Sequence, residues 1–578
     1  MPVHNADIAR VFEEIADLLE IQDANPFRVR AYRNAARSVG NLPLDLAAAV
    51  REGRPLPKIP GIGEDLAAKI AEIARTGTTT LLERLRRQSP PAVTELLRLP
   101  GLGPKRVRAL VEKLGVKSLA DLEQAARAGR IRALPGFGEK TEAAIARAAA
   151  ERLGAARRFE LATAVQYADA LVAHLARARG VRHVVAAGSL RRRRETVGDV
   201  DILVAGETGD AMRRFLGYGE VAEVLAQGPT RASVRLKSGL QVDLRAVPEE
   251  SYGAALAYFT GSKAHNIALR RLAQARGLKI NEYGVWRGRR RIAGETEESV
   301  YEAVGLPWIP PELREDRGEI EAAKAGRLPR LVERSDLRGD LHAHTRWTDG
   351  ANSVAEMAAA ARAAGLEYLA ITDHSRRLAA AHGLDPVRLA KQLAEIETVR
   401  IEGLALLRGI EVDILEDGSL DLPDAALAQL DLVVAAVHSA FNLPRARQTE
   451  RILRALENPR VAILAHPQGR LIGAREGYDV DMLKIVRKAA ALGKILEVNA
   501  QPERLDLDDV RCRMAKDEGA LVAINSDAHG TAQFDYLRWG VGQARRGWLE
   551  AANVANTRPL ADLKRLLGKA APGARPAG

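Results

Sequence analysis

GSLRRRRETVGDVD, at residues 188–201, lies between two short apolar runs near the middle of the chain. The run before it ends at Gly188 and Ser189, and the run after it carries Asp199 and Asp201, two positions apart. Because side chains alternate between the two faces of a strand, both carboxylates are expected on one face. Two adjacent acids repel each other unless a cation separates them, and carboxylate oxygens are ligands that Mg²⁺ prefers. The pattern predicts a turn followed by a strand that holds magnesium.

A phosphate-binding site is predicted beside these two acids. The short turn at Gly188 and Ser189 offers backbone N–H groups and a hydroxyl, and four arginines at 191–194 add positive charge. The next strand-like run, 240–244, supplies Asp243 as a third acid. An isolated Asp-x-Asp pair is more often a turn or a solvated edge, and four arginines are usually a solvated surface. Their combination with the Gly-Ser turn and a third acid is far more specific.

This segment resembles the X-family DNA polymerases, whose best-known member is DNA polymerase beta. The resemblance implies that Asp199, Asp201 and Asp243 form the catalytic triad and hold two Mg²⁺ ions. The ion next to Asp243 would lower the pKa of the primer 3′-hydroxyl, and the other would carry the triphosphate. The incoming triphosphate would also be bound by Gly188, Ser189 and Arg192.

A second tract, YFTGSK at 258–263, follows the third acid. Its Thr-Gly-Ser segment predicts a turn that a ligand can approach closely, and the two preceding aromatic residues can enclose a sugar. An ordinary loop and helix start is the alternative interpretation. In the resembling polymerases this tract lines the nucleotide sugar, which implies nucleotide contacts from Tyr258, Phe259, Gly261 and Asn266. The aromatic rings would exclude a 2′-hydroxyl, and Arg270 would contact the DNA minor groove.

The composition is that of a chain with several domains and a polyanionic partner. At 578 residues it exceeds the roughly 250–300 residues that one core accommodates. Its net charge of +12 favours a polyanion. It has no run of about 18 uncharged apolar residues, so no membrane partner is expected. The single cysteine, Cys512, excludes an intrachain disulfide and fits a reducing cytoplasm.

Three Pro-Gly-apolar-Gly turns occupy 60–63, 100–103 and 135–138, each followed by a helical pattern. Two glycines before a helix leave N–H groups free to contact a DNA phosphate without reading the base sequence. One such turn is equally consistent with plain helix packing, but three on one basic chain favour sequence-independent DNA binding. The residues predicted to contact DNA are Gly61, Gly63, Gly101, Gly103, Gly136 and Gly138.

The X-family places helix-hairpin-helix motifs at these positions, the first of them in a small lyase-like domain. In that family the lysine six residues after the motif's second glycine forms a Schiff base with an abasic sugar, and here this lysine is Lys69. Asp65 stands where the family has an additional basic residue. The resemblance alone therefore implies a weak 5′-deoxyribose-phosphate lyase, whereas a lysine on a helix is usually a surface charge.

From Gly339 onward the pattern changes to seven short apolar runs that alternate with helical segments. The runs lie near Leu341 and at 369–371, 404–407, 432–437, 461–464, 495–498 and 521–524. This alternation predicts a β/α barrel, in which the carboxyl ends of the strands meet at one face. Polar residues near the ends of the runs are therefore expected to converge.

Nine of these polar residues are suitable metal ligands, six of them among the chain's eleven histidines. A single histidine at a strand end is usually structural. Nine converging nitrogen and oxygen ligands without thiolates favour two or three catalytic Zn²⁺, Mn²⁺ or Fe ions that hold a hydroxide against a phosphate ester. The predicted ligands are His342, His344, Asp349, His374, Glu411, His438, His466, Asp527 and His529.

HAHTRWTDG at 342–350, followed by ITDHS, EVD, VHS, AHP and SDAH, resembles the polymerase and histidinol phosphatase (PHP) family. All nine expected ligand positions hold metal-compatible residues. The two resemblances cover nearly the whole chain, in the order found in bacterial X-family polymerases. In those proteins the PHP domain is associated with Mn²⁺-dependent 3′-5′ exonuclease activity and with processing of abasic sites or blocked 3′ ends.

The predicted fold is multidomain α/β: helical N-terminal DNA-binding domains, an α+β nucleotidyltransferase core and a C-terminal seven-stranded β/α barrel. The expected domains are a lyase-like domain at 1–88, a DNA-gripping subdomain at 89–150, a palm at 151–248, a nucleotide-selecting subdomain at 249–318, a linker at 319–337 and the barrel at 338–578.

Three functional hypotheses follow from these features. The first is a cytoplasmic, monomeric repair polymerase that fills short gaps in base excision repair and trims 3′ ends, using gapped or nicked double-stranded DNA and deoxynucleoside triphosphates. The second is a histidinol-phosphate-type phosphatase fused to a DNA-binding module. The third is a non-catalytic scaffold that binds DNA ends. The three polymerase-like acids and the YFTGS tract favour the first.

Overall fold

The computed structural model describes most of the chain. The described residues are 3–22, 24–40, 42, 44, 46–59, 61–88, 96, 99, 102–154, 158–378 and 381–569. Of the six predicted hairpin glycines, Gly101 lies outside these ranges.

The chain forms two compact units. The first consists of Met1–Phe159, Leu216–Gln227 and Ser233–Val242. The second consists of Glu160–Phe215, Gly228–Ala232 and Asp243–Gly578. The three polymerase-like acids and all nine predicted barrel ligands belong to the second unit.

The first unit is mainly helical. Its first helix, Asn5–Ile21, buries an apolar stripe, and Phe12 on that stripe meets the ring of Tyr32 edge-on, with 5.8 Å between centroids. Glycines begin the helices that follow the hairpin turns, because Gly63 and Gly103 are the N-terminal caps of their helices. The further helices of this unit are Pro26–Gly40, Leu46–Arg51, Glu64–Thr76, Thr80–Gln88, Pro104–Leu114, Leu119–Arg127 and Glu139–Gly154.

The second unit opens with an α+β region that carries the two acids. Helix Leu161–Leu175 is followed by strand Val181–Ala186, which pairs antiparallel with strand Asp199–Gly206. Strand Gln241–Val247 carries the third acid, as the sequence predicts. Beyond it, helices Tyr252–Thr260 and Lys263–Gln274 enclose the predicted Thr-Gly-Ser turn.

A small three-stranded antiparallel sheet and a helix complete this region. The strands are Lys279–Asn281, Gly284–Arg287 and Arg290–Ala293, and the helix is Glu297–Ala303. The expected linker contains a further helix, Glu319–Lys324, whose Ile320 and Ala323 pack into the same hydrophobic core as Tyr301. Residues 319–324 are therefore packed, because the apolar positions of this short segment fall on one face.

The C-terminal part of the second unit is a seven-stranded parallel barrel with its strands in sequence order, which confirms the predicted fold class. The first strand and the last are linked beyond their ends by a parallel bridge between Ala343 and Ala528. The third strand extends to Asp413, further than the predicted run at 404–407, so Glu411 lies inside a strand. The strands are Gly339–Asp340, Tyr368–Ile371, Ala405–Asp413, Leu432–Ala436, Val461–Leu464, Ile495–Asn499 and Val522–Asn525.

Helices surround the barrel strands, as the alternating pattern predicts. Their apolar faces and the strands share one large hydrophobic core, with fully buried members such as Ile371, Ile410 and Ile524. Within the described residues, no helix is both long and apolar enough to cross a lipid bilayer. The helices of the barrel are Val354–Ala363, Pro386–Thr398, Asp424–Leu427, Arg445–Glu457, Met482–Leu492, Asp509–Asp517, Leu537–Arg546 and Leu560–Lys569.

Two candidate metal centres

The Gly188 turn lies directly against the acid-bearing strand. The Ala187 N–H donates to the Asp201 carbonyl at 2.8 Å. Gly188 has φ = +61°, and a β-carbon at this position would collide with the Asp201 carboxylate. Both the backbone conformation and the close approach therefore require glycine. The turn and the acids that the sequence places in one motif are in contact.

The three acids form an electrostatically unfavourable group. Burial, together with the charges of Asp199 and Asp243, raises the pKa of Asp201 to about 7, against the opposing charges of Arg245 and Arg192. Three carboxylates that destabilise each other's charge are the donor set that a divalent cation neutralises. These residues therefore fit the predicted magnesium site.

Arg191 and Arg192 connect the turn to the YFTGS tract. Arg191 donates to the Thr260 hydroxyl at 2.7 Å, and Arg192 donates to the Thr260 carbonyl. The Arg192 guanidinium also forms an ion pair with Glu315 at 3.1 Å. The predicted nucleotide-binding residues of the turn and of the tract thus lie side by side.

The aromatic pair of the tract is held by cations and an amide. Tyr258 and Phe259 meet edge-on, with 5.1 Å between centroids. Arg270 lies over the Tyr258 ring at 5.0 Å, and Arg245 lies over the Phe259 ring at 5.3 Å. The Asn266 side chain donates to the Tyr258 carbonyl at 2.7 Å. The structure brings together Tyr258, Asn266 and Arg270, and each cation also contributes attraction to the aromatic face.

Glu297 is a supporting residue that the sequence motifs do not reveal. It accepts two hydrogen bonds of 2.7 Å from Arg191 and one of 2.7 Å from the buried Arg314. Burial opposes its charge, but the Arg191 hydrogen bonds and the Arg314 charge lower the pKa of Glu297 to about 2. The carboxylate therefore remains charged and fixes the orientation of Arg191 beside the turn.

The second centre lies where the barrel strands end. Glu411 is at its middle, because its carboxylate lies 2.7 Å from His374 Nδ1, 3.0 Å from His466 Nε2 and 3.2 Å from His438 Nε2. His342 Nε2 lies 3.5 Å from the same carboxylate. Four candidate ligand histidines, from four separate segments of the barrel, thus surround one acid.

The remaining predicted ligands adjoin this acid. Asp527 lies 3.1 Å from His344 Nε2, while Asp349 lies 3.5 Å from His529 Nε2 and 3.6 Å from His374 Nε2. The donor atoms fall into groups that could each hold an ion: His344, Asp349, His374 and His529; His342, His344 and Asp527; His374, Glu411 and His438.

Unsatisfied polar atoms show that the barrel residues fit metal ions. His342 Nε2, both ring nitrogens of His344, and Glu411 Oε2 are buried and have no hydrogen-bond partner among the described residues. A buried polar atom without a partner is strongly unfavourable, and each of these atoms is a good metal ligand. The convergence of such atoms at one point is explained by bound cations.

The protonation of the histidines differs across the centre. Burial, together with the charges of His529 and His374, lowers the pKa of His344 to about 3. Burial also opposes the charged form of His529, but the adjacent Asp349 carboxylate raises the pKa of His529 to about 9. His344 is therefore a neutral imidazole near neutral pH, which is the form that binds metals.

Two further acids orient the histidines and were not predicted. The Glu497 carboxylate accepts a hydrogen bond from His342 Nδ1 at 2.7 Å and another from the backbone N–H of His466 at 2.8 Å. Asp413 accepts from His438 Nδ1 at 2.7 Å. Such contacts fix which ring nitrogen faces the metal. A signal for Glu497 was present, since a carboxylate within the apolar strand Ile495–Asn499 requires a buried partner.

The backbone is strained at two ligand positions. His466 has φ = +28° and Asp527 has φ = +52°, a region that side chains other than glycine rarely adopt. Such strain persists only where the surroundings impose it, and it clusters at functional sites. The barrel therefore holds these two ligands in positions that an unconstrained loop would not favour.

The hairpin glycines and Lys69 lie in the first unit. Gly61, Gly63, Gly103, Gly136 and Gly138 are exposed, as phosphate contacts require. Lys69 is paired with Asp65, with 2.5 Å between Nζ and Oδ1.

Comparisons with known proteins agree with this geometry. Family models match four parts of the chain: the DNA polymerase beta thumb at 255–315, a helix-hairpin-helix domain at 3–79, a SAM-like helix-hairpin-helix tandem at 93–151 and the PHP domain at 340–500. The chain is 39% identical to the DNA polymerase/3′-5′ exonuclease PolX of Bacillus subtilis (strain 168), over 98% of this chain and 99% of that protein.

Two further matches cover parts of the chain. A probable phosphatase of Thermoanaerobacter sp. (strain X514) is 33% identical over 35% of this chain and 81% of that protein. A solved ternary complex of Leishmania infantum polymerase beta matches at 21% identity and a TM-score of 0.26, covering 38% of this chain and 96% of that chain.

Proposed function

The chain belongs to the bacterial X-family DNA polymerases that carry a C-terminal PHP domain, and we propose that it acts in base excision repair. It is a gap-filling DNA polymerase with 3′-5′ exonuclease activity. Its proposed substrates are gapped or nicked double-stranded DNA and deoxynucleoside triphosphates, which it uses as a cytoplasmic monomer. The proposed domain boundaries are those predicted from the sequence.

The observation that carries the polymerase assignment is the packing of the Gly188 turn against Asp201, beside Asp199 and Asp243. Two Mg²⁺ ions bound by these carboxylates would neutralise the triphosphate and lower the pKa of the primer hydroxyl. A scaffold or a phosphatase fused to a DNA-binding module needs none of these acids.

The side chains around the acids position the nucleotide. The Gly188 turn presents N–H groups and the Ser189 hydroxyl to the triphosphate, and Arg192 adds a charge-assisted hydrogen bond. The rings of Tyr258 and Phe259 enclose the sugar and leave no space for a 2′-hydroxyl. The protein supplies position and charge, and no covalent nucleophile is needed.

The barrel is the proposed exonuclease site. Two or three Mn²⁺ or Zn²⁺ ions held by the nine ligands would lower the pKa of a water molecule that attacks the phosphodiester. Glu411 contacts ligands of several strands, so it keeps the site assembled. We extend the proposal to abasic sites and blocked 3′ ends, since these substrates present the same ester to the same site.

The exposed hairpin glycines are proposed to hold the DNA backbone. Contacts from N–H groups to phosphates are independent of base sequence. Binding should therefore weaken steeply as salt rises, because phosphate contacts release counterions. Equal binding at low and high salt would contradict this role.

Lys69 is proposed as the nucleophile of a weak 5′-deoxyribose-phosphate lyase. Its amine is paired with Asp65, so this contact must open before the amine can reach an abasic sugar. Borohydride trapping of an abasic-site substrate should label the wild type and not Lys69→Ala. Equal labelling of both proteins would exclude this role.

Gap filling on a duplex with a one-nucleotide gap tests the polymerase proposal directly. Wild type should extend the primer by one nucleotide with Mg²⁺, and Asp199→Ala should not. Asp517→Ala, at an exposed position paired with Arg513, is the matched control and should behave as wild type. Extension by Asp199→Ala at the wild-type rate would refute the assignment.

A further inference from the structure

The loop between the phosphate-binding turn and the acid-bearing strand rests on the barrel. We name residues 192–195, which follow the short helix Gly188–Arg191, the nucleotide loop. Arg546 of the barrel donates to the Arg192 carbonyl at 2.7 Å, and Arg470 of the barrel donates to the Glu195 carboxylate at 2.7 Å. The loop that orients the proposed triphosphate ligand is thus held near both of its ends by the other catalytic domain.

The Arg546 side chain is buried at this contact and donates to three acceptors. It is the last residue of helix Leu537–Arg546, and its side chain is only 2% exposed. Besides the Arg192 carbonyl, it donates to Glu315 at 2.9 Å and to Asp509 at 2.6 Å. A guanidinium has five donors in a rigid plane, so one side chain can fix three acceptors at once.

Glu315 connects Arg546 to Arg192, the arginine that is proposed to bind the triphosphate. The same Glu315 oxygen accepts from Arg192 and from Arg546. A triphosphate that engages Arg192 would compete with Glu315 for the charge of the same guanidinium. A buried carboxylate left without a partner is strongly unfavourable, and Arg546 prevents this because it retains its own bond to Glu315. The barrel therefore makes Arg192 available to the nucleotide.

Arg470 connects the same loop to the second metal centre. It lies four residues after His466, and it also donates to the Leu505 carbonyl at 2.6 Å. Its partner Glu195 lies four residues before Asp199. The loop that leaves one barrel ligand thus fixes the segment that leads into the polymerase acids.

We propose that Arg546 is a positioning residue for nucleotidyl transfer, contributed by the barrel and acting through Arg192 and Glu315. Arg470 fixes the other end of the nucleotide loop through its hydrogen bond to Glu195. This inference rests on the proposed polymerase function and assigns to the barrel a role in synthesis that is separate from its own hydrolytic site.

Steady-state gap filling separates this role from a purely structural one. We would measure kcat and the KM for the deoxynucleoside triphosphate, and 3′-end trimming, on the same preparations of wild type, Arg546→Ala and Arg546→Lys. The control is Arg487→Ala, an exposed barrel arginine whose partner is Glu518. Arg546→Ala should raise KM about tenfold, the effect of losing a charge-assisted contact, while kcat and trimming change less than about twofold.

Arg546→Lys should restore part of the loss, because an ammonium keeps the charge but cannot reach three acceptors in one plane. The control should match wild type. An unchanged KM in Arg546→Ala would overturn the proposal. So would an equal loss of synthesis and trimming, which a general loss of folding produces. If the wild type itself does not extend the primer, the polymerase function fails and the inference fails with it, whereas an active wild type with an unchanged KM in Arg546→Ala overturns the inference alone.

A double-mutant cycle tests the Arg470 contact. Arg470→Ala and Glu195→Ala should each raise KM, and the double variant should be no worse than the more affected single variant, because the two side chains act as a pair. Additive effects of the two substitutions on KM would refute the proposal that Arg470 fixes the loop through Glu195.

Discussion

The two metal centres differ in what the protein supplies in advance. The polymerase centre consists of three carboxylates at a partly exposed strand end, and Asp199 is exposed. The barrel centre has nine candidate ligands. Asp349 is exposed, and the other eight are buried or half-buried. The first leaves coordination positions for triphosphate and primer oxygens, as Mg²⁺ sites in phosphoryl transfer do. We infer that the second would hold its ions without substrate. The first centre would then be completed by its substrate, and the second would be complete before substrate arrives.

The largest expected effect is at Asp201. Asp201→Asn removes a shared ligand from a centre that has only three, so the rate of synthesis should fall by about three orders of magnitude. Trimming of a 3′ end should be unchanged. Single-turnover extension and trimming on one preparation would show this difference. A comparable loss of trimming would break the distinction between the two centres.

Glu411→Gln is the matching change in the barrel. Because Glu411 contacts five of the six ligand histidines, we expect trimming to fall between about a hundredfold and a thousandfold. Metal content after dialysis, measured by mass spectrometry, should fall with it. Full metal content together with wild-type trimming would show that Glu411 is not a ligand.

Glu497→Gln tests whether the barrel site is organised in advance. The variant weakens the contact that orients His342, and we expect metal affinity to fall about 10- to 100-fold. Glu518→Gln, a half-buried change on the same barrel at a surface ion pair with Arg487, should have no effect. Titration with Mn²⁺ after metal removal measures the metal affinity of both variants. Equal affinities would mean that the orientation of His342 does not depend on Glu497.

The smallest expected effect is on stability. The folded pKa of Asp201, about 7, is above its ordinary value of 3.8, so between these pH values the folded state binds more protons than the unfolded state. The free energy of unfolding of the metal-free wild type should therefore fall as pH rises through this window, by up to about 4 kcal/mol relative to Asp201→Asn.

Thermal unfolding with a chelator, from about pH 4 to pH 8, measures this difference. The variant should be the more stable protein at the upper end. Parallel curves for the two proteins would mean that folding does not raise the pKa of Asp201.

Much of the fold could be predicted, and so could the convergence of the candidate ligands at each centre, for a local reason. The acids of the first centre lie two positions apart on one strand, and the barrel ligands follow apolar runs whose ends must meet. The position of Glu411 was less well predicted, because the strand continues past the apolar run and this acid lies inside it.

The supporting residues could not be predicted in the same way. Glu297 pairs with Arg191 across 106 residues, Glu315 pairs with Arg192 across 123, and Glu497 pairs with His342 across 155. Such pairs depend on tertiary packing and leave no periodic pattern in the chain. The contacts of Arg546 and Arg470 with the nucleotide loop belong to the same class.

The central claim is that two independent active sites lie on one chain, and one assay tests it most directly. A labelled primer on a one-nucleotide gapped duplex is incubated with Mg²⁺ or Mn²⁺ and with wild type, Asp199→Ala/Asp201→Ala or His342→Ala/His344→Ala. We expect the first variant to trim without extending and the second to extend without trimming. Loss of both activities in either variant, or neither activity in the wild type, would contradict the claim.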